Sequence, residues 1–183
     1  LERALEDYTA ALMIDPGTVE YLMARAQVYV GLGEEAMALD DLLTALDVSP
    51  DKADVLLTIG ETYHNIGEFN LAVEYFTNVI DLEPYNNTIF YWRARSHRSL
   101  NNLDAALADF SRASELSPAK LLYYIEPANL SIELRRHNDA VAYLTKAIEL
   151  SDEDPQLYFL RANEFEILGH HRLADDDYAQ AIR

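Results

Sequence analysis

Residues 67–84 of the chain read GEFNLAVEYFTNVIDLEP. The segment opens on a glycine, continues with apolar side chains at helical spacing, and ends on a proline. A glycine favours a turn between helices, and a proline cannot continue a helix. The segment therefore predicts a turn followed by one amphipathic helix over residues 69–82.

The same pattern recurs through the chain with a period of 34 residues. Prolines follow this period at Pro16, Pro50, Pro84 and Pro118. An unbroken alanine column follows it at positions 4, 38, 72, 106, 140 and 174. A fixed period of this length is typical of stacked helical hairpins, because one hairpin cannot bury its apolar face without the next.

Apolar periodicity and turn signals divide the chain into eleven helices. They are predicted at residues 1–14, 19–32, 35–48, 53–66, 69–82, 87–100, 103–116, 121–134, 138–150, 155–168 and 172–183. Thr18, Asp51 and Asp154 precede helices as candidate N-caps. Pro127 predicts a late start or a kink in the helix that contains it.

Two columns of residues recur with the same period and are predicted to pack at helix interfaces. Small residues on the first helix of each pair let the second helix approach, and they are Ala26, Gly60, Ala94, Ala128 and Ala162. Large residues on the second helices fill the space between hairpins, and they are Tyr8, Leu42, Phe76, Phe110, Leu144 and Tyr178.

With these columns and a proline that closes the second helix, the chain resembles the tetratricopeptide-repeat (TPR) family over essentially its whole length. The resemblance implies an all-α, right-handed superhelical solenoid of antiparallel helix hairpins. It treats residues 1–183 as a single array with the second helix of a truncated repeat at 1–16, and repeats at 17–50, 51–84, 85–118, 119–152 and 153–183. Because the array starts and ends on second helices, we expect a segment of a longer array.

The charge of the chain argues against several classes of partner. The 183 residues include 32 acids and 14 bases, which gives a formal charge of −18. Phosphate binding needs a cationic surface, so neither nucleic acid nor an anionic membrane is an expected partner. No apolar run approaches the roughly 18 residues of a membrane span, so no membrane insertion is expected. The absence of cysteine leaves the compartment open, and a soluble, cytoplasmic protein is favoured.

The sequence predicts no enzyme. No set of nucleophile, base and orienting residue can be assembled, and no glycine-rich phosphate loop is present. His170 and His171 with the acids at 175–177 offer two metal ligands without a third, so they predict a turn and an exposed acidic helix. No catalytic residue, metal or cofactor is therefore expected.

A pairing of opposite charges recurs in every second repeat. An arginine on a first helix is followed sixteen residues later by an aspartate, in the pairs Arg25/Asp41, Arg93/Asp109 and Arg161/Asp177. The equivalent positions of the intervening repeats hold Ile59/Tyr75 and Pro127/Tyr143. Each arginine–aspartate pair is predicted to form a structural salt bridge inside its hairpin.

The candidate partner site lies on the predicted helix 87–100. The TPR resemblance implies that first helices line a concave groove in which peptides bind. The candidate site residues on this face are Tyr91, Trp92, Arg95 and Arg98, flanked by His64 and Asn129 on the neighbouring first helices. Residues 85–118 carry four bases and three acids, whereas residues 1–84 carry three bases and 17 acids. This patch predicts a protein or peptide partner with an acidic or aromatic segment.

Two alternatives stay open at this point. Tyr91 and Trp92 can pack against adjacent helices while the arginines pair with Asp54, Glu61 or Glu126. The leading function is a protein–protein interaction scaffold that binds a partner segment in the groove. The alternative is an architectural component of a large multiprotein assembly that uses convex and edge surfaces, including the turns at 135–137 and 170–172.

Overall fold

The computed structural model describes residues 1–50, 52–151 and 153–182. All regular structure in these residues is helical, and the helices are α1 (Glu2–Ile14), α2 (Val19–Leu32), α3 (Glu35–Val48), α4 (Ala53–Asn65), α5 (Phe69–Leu82), α6 (Asn87–Ser99), α7 (Leu103–Leu116), α8 (Leu122–Glu133), α9 (His137–Leu150), α10 (Pro155–Ile167) and α11 (His171–Ala181). Every predicted helix is present, with ends within two residues of those expected. The prediction of an all-α fold is confirmed.

The chain divides into two compact units, Leu1–Leu100 and Asn101–Arg183. In the first unit α2 pairs with α3 and α4 with α5, while α1 packs on α2, α3 on α4, and α5 on α6. In the second unit α8 pairs with α9 and α10 with α11, while α7 packs on α8 and α9 on α10. Within each unit, helices contact their neighbours in sequence, as in a stack of hairpins.

The turn after each first helix holds one residue in the left-handed region. Gly33, Gly67 and Gly169 occupy this position with φ of 78°, 87° and 77°. Asn101 and Arg135 occupy it in the same 34-residue register, with φ of 60° and 55°. Glycine adopts this conformation without a steric penalty, whereas the Cβ of Arg135 strains it.

The small and large columns meet in the core. Ala26 and Leu42 are fully buried in the α2–α3 hairpin. In the α4–α5 hairpin the equivalent residues are Gly60 and Phe76, and a Cβ on Gly60 would lie 2.6 Å from Phe76 Cε1. The two pairs are therefore complementary in volume, since the missing methyl group of the glycine admits the phenyl ring.

The three cap predictions had different outcomes. Asp154 caps α10 as predicted, because its Oδ1 accepts a hydrogen bond from the Gln156 backbone N–H at 2.9 Å. The prediction for Thr18 is wrong, since its side chain makes no capping hydrogen bond. The Tyr21 amide that it would cap bonds to the Thr18 carbonyl at 3.1 Å instead. Asp51 lies outside the described residues.

Pro127 lies inside α8, which starts at Leu122, one residue later than predicted. The helix continues through the proline to Glu133. Pro127 has no amide hydrogen to donate to the Tyr123 carbonyl one turn earlier, so this hairpin lacks one helical hydrogen bond.

Candidate partner-binding site

Helix α6 carries the candidate patch and is positioned by its cap and its packing. Asn86 Oδ1 accepts a hydrogen bond from the Thr88 backbone N–H at 3.1 Å, which satisfies one donor at the start of the helix. Ile89 and Phe90 are buried, and the helix packs on α5 and also contacts α4. The patch therefore lies beside α4 in the first unit.

Three half-buried side chains of α6 stack on one another. Arg95 Cζ lies 4.7 Å from the centre of the Trp92 ring and 5.8 Å from that of Tyr91. The two rings meet edge to face with their centres 6.2 Å apart. The aromatic faces attract the guanidinium, whose N–H groups stay in its own plane. Within the described part of the chain, no acceptor hydrogen-bonds Arg95.

Glu61 on α4 lies beside Trp92. Burial raises the pKa of Glu61, and the hydrogen bond from Trp92 lowers it in part. Trp92 also packs on the buried cluster that contains Leu56 and Phe76. Trp92 thus packs partly against its neighbours, while no hydrogen bond within the described residues uses the N–H donors of Arg95.

His64 lies against the buried side of Trp92. Its ring centre lies 5.3 Å from the Trp92 ring and 5.3 Å from the Phe69 ring. Its Nδ1 is 2.9 Å from Ser96 Oγ, which donates to the Trp92 carbonyl at 3.1 Å and so accepts from Nδ1–H. Burial, and then the charge of Arg95, lowers the pKa of His64. His64 is itself buried, so it positions Trp92 and does not face solvent.

The structure brings five side chains together in the first unit. We call them the Trp92 cluster: Glu61, His64, Tyr91, Trp92 and Arg95. Arg98 is half-buried on α6, and Asn129 is half-buried on α8 of the second unit. Sequence reasoning missed that Glu61 lies beside Trp92, because this depends on how closely α4 approaches α6.

Two of the predicted arginine–aspartate pairs lie inside hairpins of a single unit. Arg25 donates to Asp41 from Nε to Oδ2 at 2.8 Å and from Nη2 to Oδ1 at 2.6 Å. Arg161 donates to Asp177 from the same two atoms, at 2.7 Å in each case. Both aspartates are buried. This bidentate geometry is the strongest that the two groups can form.

Each arginine of this series also contacts a threonine that precedes it by sixteen residues. The threonine–arginine pairs are Thr9–Arg25 at 3.4 Å, Thr77–Arg93 at 3.1 Å and Thr145–Arg161 at 3.1 Å. Sequence reasoning missed them, although the threonines share the spacing of the arginines. Arg93 and Asp109 belong to different units, and their pairing stays a prediction.

The described residues contain no group of three or more His, Asp or Glu side chains that could hold a metal ion. His171 Nδ1 lies 3.0 Å from Glu166 Oε2. None of the described helices combines the length and the apolar character needed to cross a bilayer.

The helical repeats match known sequences and folds. Models of the tetratricopeptide repeat match residues 57–120, 19–52 and 123–154. No curated protein sequence matches the chain. A MamA protein has a similar structure, with a TM-score of 0.80, 20% identity and 90% of each chain covered.

Two other solved structures share the fold. YrrB, described as a TPR protein with an unusual peptide-binding site, has a TM-score of 0.79 and 16% identity, and the match covers 97% of this chain and 92% of that one. PilF of Pseudomonas aeruginosa has a TM-score of 0.80 and 19% identity, with 98% of this chain and 80% of that one covered. At sequence identities this low, the structural similarity shows a common fold alone.

Proposed function

Because this chain belongs to the tetratricopeptide-repeat family, we propose that it is a protein-interaction scaffold whose Trp92 cluster receives an acidic segment of a partner protein. The cluster lies on α4 and α6, which are first helices of their repeats. The structural similarity to YrrB, which is described as binding a peptide, supports a peptide-like ligand. The fold positions the helices, and the side chains of the Trp92 cluster recognise the ligand.

The observation that carries the proposal is how the Arg95 side chain is held. Its guanidinium is held against two aromatic rings, and no acceptor hydrogen-bonds it within the described residues. A stacked guanidinium loses less conformational freedom on binding than a mobile one. Its two parallel N–H donors match the two oxygens of a carboxylate. An apolar side chain of the same partner segment can contact the exposed parts of the Tyr91 and Trp92 rings.

The charge around the cluster defines where an acidic segment can bind. Helix α6 contains Arg93, Arg95 and Arg98 and no acidic residue. Residues 1–84 carry 17 acids and only three bases, so they repel an acidic ligand. Attraction at α6 and repulsion from the rest of this unit together select one binding position.

The proposal is tested with peptides selected on the wild-type chain from a random peptide library. Their affinities for the Arg95→Glu, Arg95→Lys and Arg3→Glu variants are measured by fluorescence anisotropy. Arg3 is exposed on α1, so its reversal matches the charge change of Arg95→Glu outside the cluster. We expect peptides with Asp, Glu or a free C-terminus, and a loss of at least about tenfold, or about 1.4 kcal/mol, for Arg95→Glu.

The other two variants separate charge from geometry. Arg95→Lys keeps the charge but removes the planar donors, so it should weaken binding several-fold. Arg3→Glu should leave the affinity nearly unchanged. The proposal is wrong if the selected peptides lack carboxylates, or if Arg95→Glu and Arg3→Glu weaken binding equally while circular dichroism shows unchanged helicity.

A further inference from the structure

The second helices of the first unit carry a cleft that is separate from the Trp92 cluster. It lies where α1, α2 and α3 meet, and its volume is about 250 Å³. Leu12, Pro16 and Leu22 contribute its apolar lining, and the Arg25–Asp41 ion pair also lines it. Asp40 and Thr44 on α3 are exposed at its rim, whereas the two leucines are buried.

A second cleft of about 380 Å³ repeats this arrangement. Leu46, Pro50 and Leu56 line it, and Glu74 and Asn78 on α5 stand at its rim. Each of these residues follows its counterpart in the first cleft by 34 residues. The two clefts therefore share equivalent apolar residues and an exposed rim carboxylate, although Tyr75 of the second replaces Asp41 of the first.

The chain itself balances these carboxylates only in part. Of the three bases in residues 1–84, Arg25 pairs with Asp41 and also attracts Asp40, while Lys52 contacts Glu20. Neither Asp40 nor Glu74 forms a salt bridge within the described residues. Their unbalanced charge attracts cationic ligands to this face.

Apolar side chains are exposed beside the same clefts. Val48 and Leu82 are the last residues of α3 and α5, at equivalent positions, and they are 54% and 45% exposed. Leu82 also lines the second cleft. An exposed aliphatic side chain and an exposed carboxylate on the same helix suit a ligand that is both apolar and cationic.

The acidic rim is not a requirement of the repeat. In the α8–α9 hairpin of the second unit the position equivalent to Asp40 and Glu74 holds Ala142, and the position equivalent to Asn78 holds Lys146, whereas α11 carries Asp176 in the same register. The hairpin α8–α9 forms with these residues. The carboxylates of the first unit therefore stand where the fold itself accepts an alanine.

We propose that the two clefts bind a cationic amphipathic helix of a partner protein. Its apolar side chains enter the clefts, and its Lys or Arg side chains pair with Asp40 and Glu74. Packed helices lie about 10 Å apart, which sets the approximate spacing of successive hairpins. A bound helix presents the same face every seven residues, or about 10 Å, so one straight helix reaches both clefts.

The probe is a labelled synthetic helix of Leu, Lys and Ala with Leu at every seventh residue, and its binding is measured by fluorescence anisotropy. The variant Asp40→Lys/Glu74→Lys reverses both rims. The control Glu34→Lys/Glu68→Lys makes the same charge change at two exposed turn residues that are also 34 residues apart. A second control peptide has the same composition, with its leucines dispersed around the helix.

We expect the rim variant to bind the probe at least about tenfold more weakly than wild type, a loss of about 1.4 kcal/mol. The turn variant should lose less than about threefold, because long-range attraction is screened by salt. The dispersed peptide should bind wild type more weakly than the probe. Equal losses in both variants, equal binding of both peptides, or no binding of the probe to wild type would each overturn the proposal.

Discussion

The ion pair between Arg25 and Asp41 gives the most demanding test of the fold. Two short hydrogen bonds join the groups, and the side chain of Asp41 is only 4% exposed while that of Arg25 is 19% exposed. Arg25→Ile removes the cation and leaves a carboxylate inside the hairpin. Asp41 then keeps its charge without a partner or takes up a proton, and both outcomes destabilise the folded state.

The size of the effect follows from this burial. Breaking a buried pair by removing one partner costs about 3–5 kcal/mol, whereas an exposed pair contributes less than about 1 kcal/mol. Arg25 retains some contact with water, so we expect a cost near the lower end, about 3 kcal/mol.

The neighbouring repeat supplies the matched control. It holds Ile59 and Tyr75 at the equivalent positions, and Tyr75 stacks on Tyr63 with the ring centres 5.5 Å apart. The double variant Arg25→Ile/Asp41→Tyr copies that pair, and the introduced ring can stack on Tyr29, the counterpart of Tyr63. Replacing a buried ion pair by packed apolar groups is often neutral, so the double variant should lie within about 1.5 kcal/mol of wild type.

Urea unfolding followed by far-UV circular dichroism measures both variants. The midpoint and the slope are compared, because repeat arrays can depart from two-state unfolding. The reasoning is refuted if Arg25→Ile alone costs less than about 1 kcal/mol. It is equally refuted if the double variant is as unstable as the single one, since the loss of stability would then not come from the unpaired, buried carboxylate of Asp41.

Three further predictions concern single positions. Gly60→Ala should destabilise the chain by about 1–3 kcal/mol because its methyl group meets the Phe76 ring; adding Phe76→Leu should restore most of the loss in urea unfolding. Arg135→Gly should stabilise it by about 0.5–1 kcal/mol, measured in the same way, because φ of 55° strains a residue with a Cβ; no gain would contradict this. Glu61→Gln should raise the thermal midpoint at neutral pH. Burial raises the pKa of Glu61 above 4.5, so the ionised carboxylate destabilises the folded state once the pH rises above that value. The stability gained by Glu61→Gln should therefore vanish on acidification, when Glu61 is protonated and neutral. A gain in stability that does not depend on pH would show that the charge of Glu61 is not the cause. The amide oxygen of the introduced glutamine can still accept a hydrogen bond from Trp92.

Much of the local structure could be predicted from periodicity. Helix ends came within two residues because proline and glycine recur at fixed spacing and act on their own backbone. The predicted cap at Thr18 was wrong, because its side chain makes no capping hydrogen bond. The left-handed turn at Arg135 carries no glycine, and only the register of Gly33, Gly67 and Gly169 points to it.

The candidate site was predicted in part. The TPR resemblance placed Tyr91, Trp92 and Arg95 on one face of a first helix, and the local excess of bases set this helix apart in an acidic chain. It placed His64 beside them but could not show that its ring is buried against Trp92. Side chains from different helices meet only when the interhelical approach is known, and a repeat period does not contain that distance.

The sequence by itself determined the hairpin repeat and the distribution of charge, because both follow from the order of residues along a helix. The tertiary structure decided which charged groups are paired inside a hairpin and which are not. Asp41 is satisfied by Arg25, whereas Arg95 is stacked and Asp40 stands at an open cleft. The physical reason is that burial and pairing are properties of packed helices, and a few ångströms decide whether a charge finds its partner inside the chain or outside it.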